Sequence, residues 1–377
     1  MAQRILYLVS EDWFFVSHRL PMARAAKTAG YDVHVAARVG DCARKIESEG
    51  FTLHPIEWRR GSMNPFRLVA AVAETRRLYR GVKPDLVHHV AVLPIVIGSL
   101  AAIALPMRVL NAFTGLGFTF ASNTARAAFL RVVAGTFLGW LLRQPNSTVL
   151  VQNPDDRTVV ADFGVPPDRI AIVPGSGVDT ELFTPLPEPP SPVTVAFVGR
   201  LLANKGVRTL AAAHELLNSR GMAIRLLLAG APDPLNPTSI PDALLERWRS
   251  IANLFLLGHV DDIRSVWRQA HIAVLPSRGG EGIPMSLLEA AACGRPLVAS
   301  DVPGCREIAR PGVTGLLVPP DDPAALADAI ATLAKDREMR LRFGAAARQL
   351  ACDEFSSAGV QREIVALYRQ LLSRGED

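Results

Sequence analysis

The chain carries two series of short apolar segments, each separated from the next by an amphipathic, helix-like stretch. The first series runs RILYLVS, YDVHVAAR, PDLVHHV, RVLNAF, TVLVQN and RIAIVP. The second runs VTVAFVGR, AIRLLLAG, LFLLGHV, HIAVLPS, PLVAS and GLLVP. Continuous apolar runs mark strands buried on both faces, and strands alternating with helices pair in parallel. Between the series lies TPLPEPPSPV, residues 184–193, with five prolines in ten residues and no pattern for helix or strand. The fold class predicted is α/β: two doubly wound, Rossmann-like parallel-sheet domains facing a central cleft. The first spans residues 1–185 and the second 193–355, with a linker at about 184–193. A last helix from 356, ending near 373, is expected to pack back on the first domain. In the first helix, SHRLPMARAAKTAG, Ser17 is the expected N-cap and Gly30 the stop.

At 377 residues the chain exceeds one ordinary domain. With 49% apolar and 20% charged residues it can bury a large core. Its four cysteines, Cys42, Cys293, Cys305 and Cys352, show neither CxxC nor metal-ligand spacing. They imply a reducing compartment rather than a disulfide scaffold. The N-terminus reaches Glu11 and Asp12 after a short apolar run and reads as a first strand, not a secretory signal. Neither Val90–Pro106 nor Val132–Leu142 reaches the ~20 apolar residues that span a bilayer. Residues 1–185 hold 20 Lys/Arg against 15 Asp/Glu, a net of +5, whereas 186–377 hold 21 of each. The basic half suits an anionic partner, a membrane surface or a polyphosphate, and equally suits ordinary solvated helices.

The stretch RGGEGIPMSLLEAAACGRP places Glu281 in a Gly-rich loop and Glu289 in a helix, eight positions apart. Pro284 favours a first helical turn, and a helix N-terminus behind such a loop is a ready anion site. Carboxylates there would repel phosphate but accept hydrogen bonds from the diols of a sugar and a ribose. A loop glutamate in solvent plus a helix glutamate in a surface ion pair fits the same spacing. FVGRLLANKGV sets Arg200 and Lys205 just after a strand, where two cations can neutralise a diphosphate leaving group. Trp13, Ser17, His18 and Arg19 follow the first strand. His18 or Arg19 is placed to meet an acceptor or its phosphates, or His18 is simply exposed in a first turn. Gly115 and Gly117, in TGLGF, permit either close backbone approach or only a tight turn. Residues 124–143 interleave Arg126, Arg131 and Arg143 with Phe129, Phe137 and Trp140. This suits a helix at a membrane interface as well as a buried helix with cationic ends.

VGRLLANKGV, LGHVDDIRSVWRQAHIAVLPS, GGEGIPMSLLEAAACGRPLVAS, GCREIARPGVTGLLVPPDDPAALADAI and GSGVDTELF together resemble glycosyltransferase family 4, retaining enzymes with the GT-B fold. The resemblance covers nearly the whole chain. It implies that Gly199, Arg200 and Lys205 bind the donor diphosphate, and that Glu281 and Glu289 touch the donor sugar and ribose. Gly282, Ile283 and Pro284 match the loop meeting sugar and phosphate, and Val260 the position whose backbone holds the base. The N-terminal motifs SEDWFFVSHRLPMARAAKTAGYDVHVA, GSMNPF and NAFTGLGFTF resemble bacterial transferases acting on undecaprenyl-diphosphate-linked sugars. The sequence lacks the GGxG of many members near its start and has AGAPDPLNP where many have a short Gly-x-Gly turn.

The activity implied is retaining transfer of a hexose or N-acetylhexosamine from a UDP-sugar to a lipid-linked saccharide. Arg200, Lys205, Glu281 and His18 are the expected catalytic residues. Trp13, His18, Arg19, Gly115 and Gly117 are expected at the acceptor. No cofactor, no metal and no nucleic acid is expected. The partners are the nucleotide-sugar donor, the undecaprenyl-diphosphate-linked acceptor and an anionic membrane surface met by the N-terminal domain. That places the protein in the cytoplasm, peripherally on the inner face of the plasma membrane. Rival readings are a nucleotide-sugar epimerase of the same fold and a non-catalytic nucleotide-sugar binder. A Rossmann oxidoreductase is disfavoured because LVSEDWFF has no glycine.

Overall fold

The computed structural model describes residues 2–58, 64–116, 135–234 and 236–373. The described residues form two compact units: those within 2–116, 135–176 and 358–373 make the first, and those within 177–357 the second.

The first unit is built on a seven-stranded parallel sheet ordered β3-β2-β1-β4-β5-β6-β7. Its strands are β1 (Arg4–Glu11), β2 (Asp32–Arg38), β3 (Thr52–Pro55), β4 (Leu86–Val90), β5 (Arg108–Ala112), β6 (Ser147–Val151) and β7 (Ile170–Ile172). Alternate residues of β1 feed opposite faces. Ile5, Tyr7 and Val9 join the core that also holds Val360, Ile364 and Tyr368 of the last helix, Ser357–Ser373. Leu6 and Leu8 join a second core with Trp58, Tyr79 and Ile97. Both faces are therefore covered, which is why the central strands read as unbroken apolar runs.

The second unit holds a six-stranded parallel sheet ordered β10-β9-β8-β11-β12-β13. Its strands are β8 (Thr194–Val198), β9 (Arg225–Ala229), β10 (Leu254–Gly258), β11 (Ile272–Leu275), β12 (Leu297–Ser300) and β13 (Gly315–Val318). In both sheets the strand order reverses once, between β1 and β4 and between β8 and β11. Ligands of open parallel sheets bind at such switch points, outside the carboxyl ends of the strands.

The proline-rich stretch forms neither helix nor strand and packs along the second unit. Leu186 N–H donates to Cys293 O at 3.1 Å, and Arg295 Nη2 to Pro187 O at 2.9 Å. Glu188 takes Arg340 at 2.6 Å and Arg337 at 2.8 Å. Ser17 is not an N-cap: it lies inside a short helix, Asp12–His18, and its hydroxyl donates back to Trp13 O at 2.9 Å. The next helix, Leu20–Thr28, starts after Arg19 with no side-chain cap and carries Pro21 in its first turn.

Candidate functional site

The strongest constellation sits at the switch point of the second sheet. Gly199 leaves β8 with φ +150 and donates its N–H to Ala229 O at 2.9 Å. A Cβ on Gly230 would stand 1.8 Å from Gly199 O, so the two loops can close only on glycine. Lys205 ends a 3-10 turn, Ala203–Lys205. Gly206 follows at φ +72, with an added Cβ 1.7 Å from Pro276 O, and the helix Val207–Ser219 begins. The loop after β8 is thus pressed onto the loop after β11. Arg278 N–H completes the join by donating to Asn204 O at 2.9 Å.

That junction brings Lys205 to Glu281. Lys205 Nζ lies 2.7 Å from both Glu281 Oε1 and Oε2. Ser277 Oγ donates to Oε1 at 2.7 Å. Glu281 is only 6% exposed, and Ser277 is fully buried. A buried carboxylate persists when it is paired and its lone pairs are satisfied, and both conditions hold here. Gly304 at φ +79 backs the same loop, with an added Cβ 1.7 Å from Gly282 O. Arg200 Nη1 meets Asp233 Oδ2 at 2.6 Å.

Pro284 precedes the helix Met285–Ala292, which no side chain caps, and Gly294 beyond it has φ +72. Its first turn is open to an anion. Glu289 lies half-buried one turn further on. Burial pushes its carboxyl up to about 7, opposed by the neighbouring Trp267 indole. Trp267 Nε1 itself falls outside hydrogen-bonding geometry. Half-buried Val260 follows β10, where Gly258 takes φ +66 and its carbonyl accepts Gly230 N–H at 2.7 Å.

In the first unit, Trp13 and His18 follow β1 at its switch point. Trp13 is 42% exposed; the His18 ring stacks on Phe14 with centroids 4.3 Å apart, and its Nδ1 bonds Ser17 Oγ at 2.6 Å. Arg19 was expected beside them and is instead buried, at 2% exposure. Its Nη1 donates to His18 O at 3.0 Å and to Ser176 Oγ at 3.2 Å. Burial lowers its guanidinium to about 10, and Tyr7 and Tyr368 oppose that. Arg19 therefore ties down the turn that carries His18. Gly115 has φ +119, which favours glycine; Gly117 lies outside the described residues. So do Arg126, Phe129 and Arg131. The described remainder of that stretch exposes Phe137 and Trp140, stacked at 6.1 Å, with Arg143 exposed beside them.

Residues 192–336 match the family model for glycosyl transferases group 1, and residues 4–146 match that for glycosyl transferase 4-like domains. The chain is a glycosyltransferase carrying these two domains. The transferase is 27% identical to EpsD of Bacillus subtilis, named as a glycosyltransferase, over 98% of this chain and 97% of that one. It is 26% identical to the N,N'-diacetylbacillosaminyl-diphospho-undecaprenol alpha-1,3-N-acetylgalactosaminyltransferase of Campylobacter jejuni, over 88% of this chain and 89% of that one. Its fold matches that of Anabaena HepE in complex with UDP-glucose, with TM-score 0.76, 17% identity and coverage of 97% and 99%. The two-sheet architecture of the transferase is GT-B.

Several features of the transferase carry no sequence signal. Ser277 reads as an ordinary strand-end serine, and nothing in APDPLNP pairs Asp233 with Arg200. Ala91, a non-glycine at φ +73, closes β4 at the first switch point, with its N–H donating to Ala112 O at 2.9 Å. On β4, His88 Nδ1 bonds Tyr368 OH at 2.7 Å, and Tyr368 OH bonds Tyr7 OH at 2.7 Å. His89 on the opposite face bonds Tyr79 OH and Asn111 Oδ1, both at 2.8 Å. Burial holds the His88 imidazole well below its usual range and His89 at about 4. Both are neutral core residues. No helix among the described residues is long and apolar enough to cross a membrane, and none of their His, Cys, Asp and Glu side chains cluster as a metal site.

Proposed function

We propose that this glycosyltransferase moves a hexose or N-acetylhexosamine from a UDP-sugar to an undecaprenyl-diphosphate-linked saccharide, retaining the anomeric configuration. The observation that carries the proposal is the Ser277–Glu281–Lys205 cluster, set with Arg200 around the ends of β8 and β11. In this reading Arg200, Lys205, the backbone at Gly199 and the 282–284 loop take the diphosphate. Glu281 takes sugar hydroxyls, Glu289 the ribose diol and the Val260 backbone the base. A free carboxylate at the sugar and a free cation at the phosphate both become available when a diphosphate draws Lys205 off Glu281. Ser277 keeps Oε1, so Oε2 is the atom presented to the sugar.

As the bond from the anomeric carbon to the diphosphate breaks, negative charge grows on the leaving oxygen. Fixed cations and the uncapped helix stabilise that charge where it develops. The acceptor hydroxyl oxygen bonds the anomeric carbon on the same face, and its proton passes to the departing diphosphate. Arg200 and Lys205 supply the charge neutralisation that a metal would otherwise give, so the proposal includes no cofactor and no metal. Trp13, His18 and Gly115 belong to the proposed acceptor side, with Arg19 positioning His18. The similarity to the diphospho-undecaprenol transferase supports the lipid-linked acceptor. The exposed Phe137 and Trp140 support peripheral contact with an anionic membrane.

The test is transfer of radiolabel from UDP-GalNAc, UDP-GlcNAc, UDP-Gal and UDP-Glc to butanol-extractable lipid in membranes of the native host. Label should enter lipid with the wild type, survive chelator, and be lost with Lys205→Ala and Glu281→Ala. Release of UDP without labelled lipid would refute the lipid-linked acceptor, and an inverted product would refute retention.

A further inference from the structure

Both cations of the proposed diphosphate site already hold a carboxylate. Lys205 holds Glu281, and Arg200 holds Asp233. Glu281 has a place in the proposed reaction; Asp233 has none so far. Asp233 is also no loose surface acid. Its loop is stapled to the segment that carries Arg200: Leu201 N–H donates to Ala231 O at 2.9 Å, Ala203 N–H to Thr238 O at 2.7 Å and Ile240 N–H to Leu201 O at 3.0 Å. Within the loop, Asp233 N–H donates to Ser239 Oγ at 3.0 Å, and Asn236 N–H to Asp233 O at 2.8 Å. The carboxylate is one-quarter exposed and the guanidinium somewhat more, so solvent and a ligand can both reach the pair.

A fixed anion on a phosphate-binding arginine opposes phosphate twice. It occupies Nη1, one of the donors that would fork onto the phosphate oxygens, and it repels the phosphate charge. Such an arrangement weakens the hold on a nucleoside diphosphate and gives Arg200 somewhere to return when the diphosphate leaves. Resting on the reading of Arg200 as a diphosphate ligand, we infer that Asp233 is a release residue. It competes with the nucleoside diphosphate product for Arg200 and so sets how fast the site empties. No bond forms or breaks in this step; one ion pair exchanges for another.

The experiment is calorimetric titration of the full-length protein with UDP at low and moderate salt. It compares wild type, Asp233→Asn, Arg200→Ala and the double variant. Asp233→Asn keeps the backbone bonds of the loop and removes only the charge. It should tighten UDP binding by about threefold to tenfold, the span expected when a part-exposed ion pair and its repulsion are removed. Arg200→Ala should weaken UDP binding, and in that background Asp233→Asn should have little effect, because the carboxylate acts through the arginine. In steady state Asp233→Asn should lower KM and strengthen product inhibition by UDP. Weakened binding in Arg200→Ala with unchanged or weaker binding in Asp233→Asn overturns the release role while leaving the diphosphate reading intact. Unchanged binding in Arg200→Ala overturns both. An equal gain from Asp233→Asn with and without Arg200 shows only bulk charge and overturns the pairing argument.

Discussion

Glu289→Gln should make the ligand-free protein more stable at alkaline pH while weakening its hold on donor. The cause is a carboxyl kept in a half-buried helical position, where burial raises it from the ordinary 4.5 to about 7. A raised carboxyl favours the folded state fully below the unfolded value, and that contribution is lost as pH climbs through the folded value. The window is therefore about pH 4.5 to 7. At 1.36 kcal/mol per unit, the full shift corresponds to roughly 3 kcal/mol, and residual hydration of a half-buried side chain brings it to about 1.5–3 kcal/mol. Glutamine stays neutral throughout. Wild type and variant should thus melt nearly together at pH 4, and by pH 8 the variant should melt higher by about 3–10 °C for a domain of this size. Calorimetric melting of the full chain at half-unit pH steps would read this directly. UDP, whose ribose hydroxyls favour the ionised carboxylate, should bind wild type more tightly from pH 5.5 to 7.5, a trend absent in the variant. A stability gain of the same size at pH 4 and pH 8, or a loss at both, would refute burial as the cause.

Lys205→Ala strands Glu281 in its buried setting and should cost about 3–5 kcal/mol, with Glu281→Gln added to it recovering most of the loss in denaturant titration. Ser277→Ala should lower kcat about tenfold with little change in KM, and Ser277→Thr should restore it, since only the hydroxyl that fixes Oε1 is at issue. Gly206→Ala adds a Cβ 1.7 Å from Pro276 O at φ +72, so unfolding measurements should show a loss above about 2 kcal/mol. Equal melting of Gly206→Ala and wild type would mean that the two loops are not pressed together.

The central strands are plain in the sequence because they are buried on both faces and leave apolar runs, whereas the edge strand β3, TLHP, exposed or half-buried throughout, leaves no such run and is missing from the predicted series. The cations and glutamates of the second unit were legible for a related reason. Arg200, Lys205 and Glu281 sit in loops that leave strand ends at a switch point, where ligands bind, and Glu289 sits in the helix that follows. What could not be read was anything set by long-range partners. Arg19 adjoins His18 in sequence, yet Ser176, far along the chain, meets its guanidinium inside the protein. Asp233 looks like one more acid in a proline-rich loop until backbone bonds to residues 201–203 aim it at Arg200. Ser17 has the composition of a cap, but the helix it was meant to start begins two residues later, and a separate short helix claims it. The proline run offers few N–H groups for helix or strand, yet the Pro187 carbonyl accepts from Arg295 and the Glu188 carboxylate pairs with Arg340.

The last helix has a consequence for how the protein is made. Tyr368 closes a hydrogen-bonded chain with Tyr7 and His88, and Val360, Ile364 and Leu371 fill the same core. On a ribosome residues 177–357 of the second unit emerge as one stretch before the last helix does. The first unit, although its strands are synthesised earlier, completes this core only when Val360, Ile364, Tyr368 and Leu371 arrive. A nascent chain, or one truncated before residue 357, would leave that part of the core exposed and prone to aggregate.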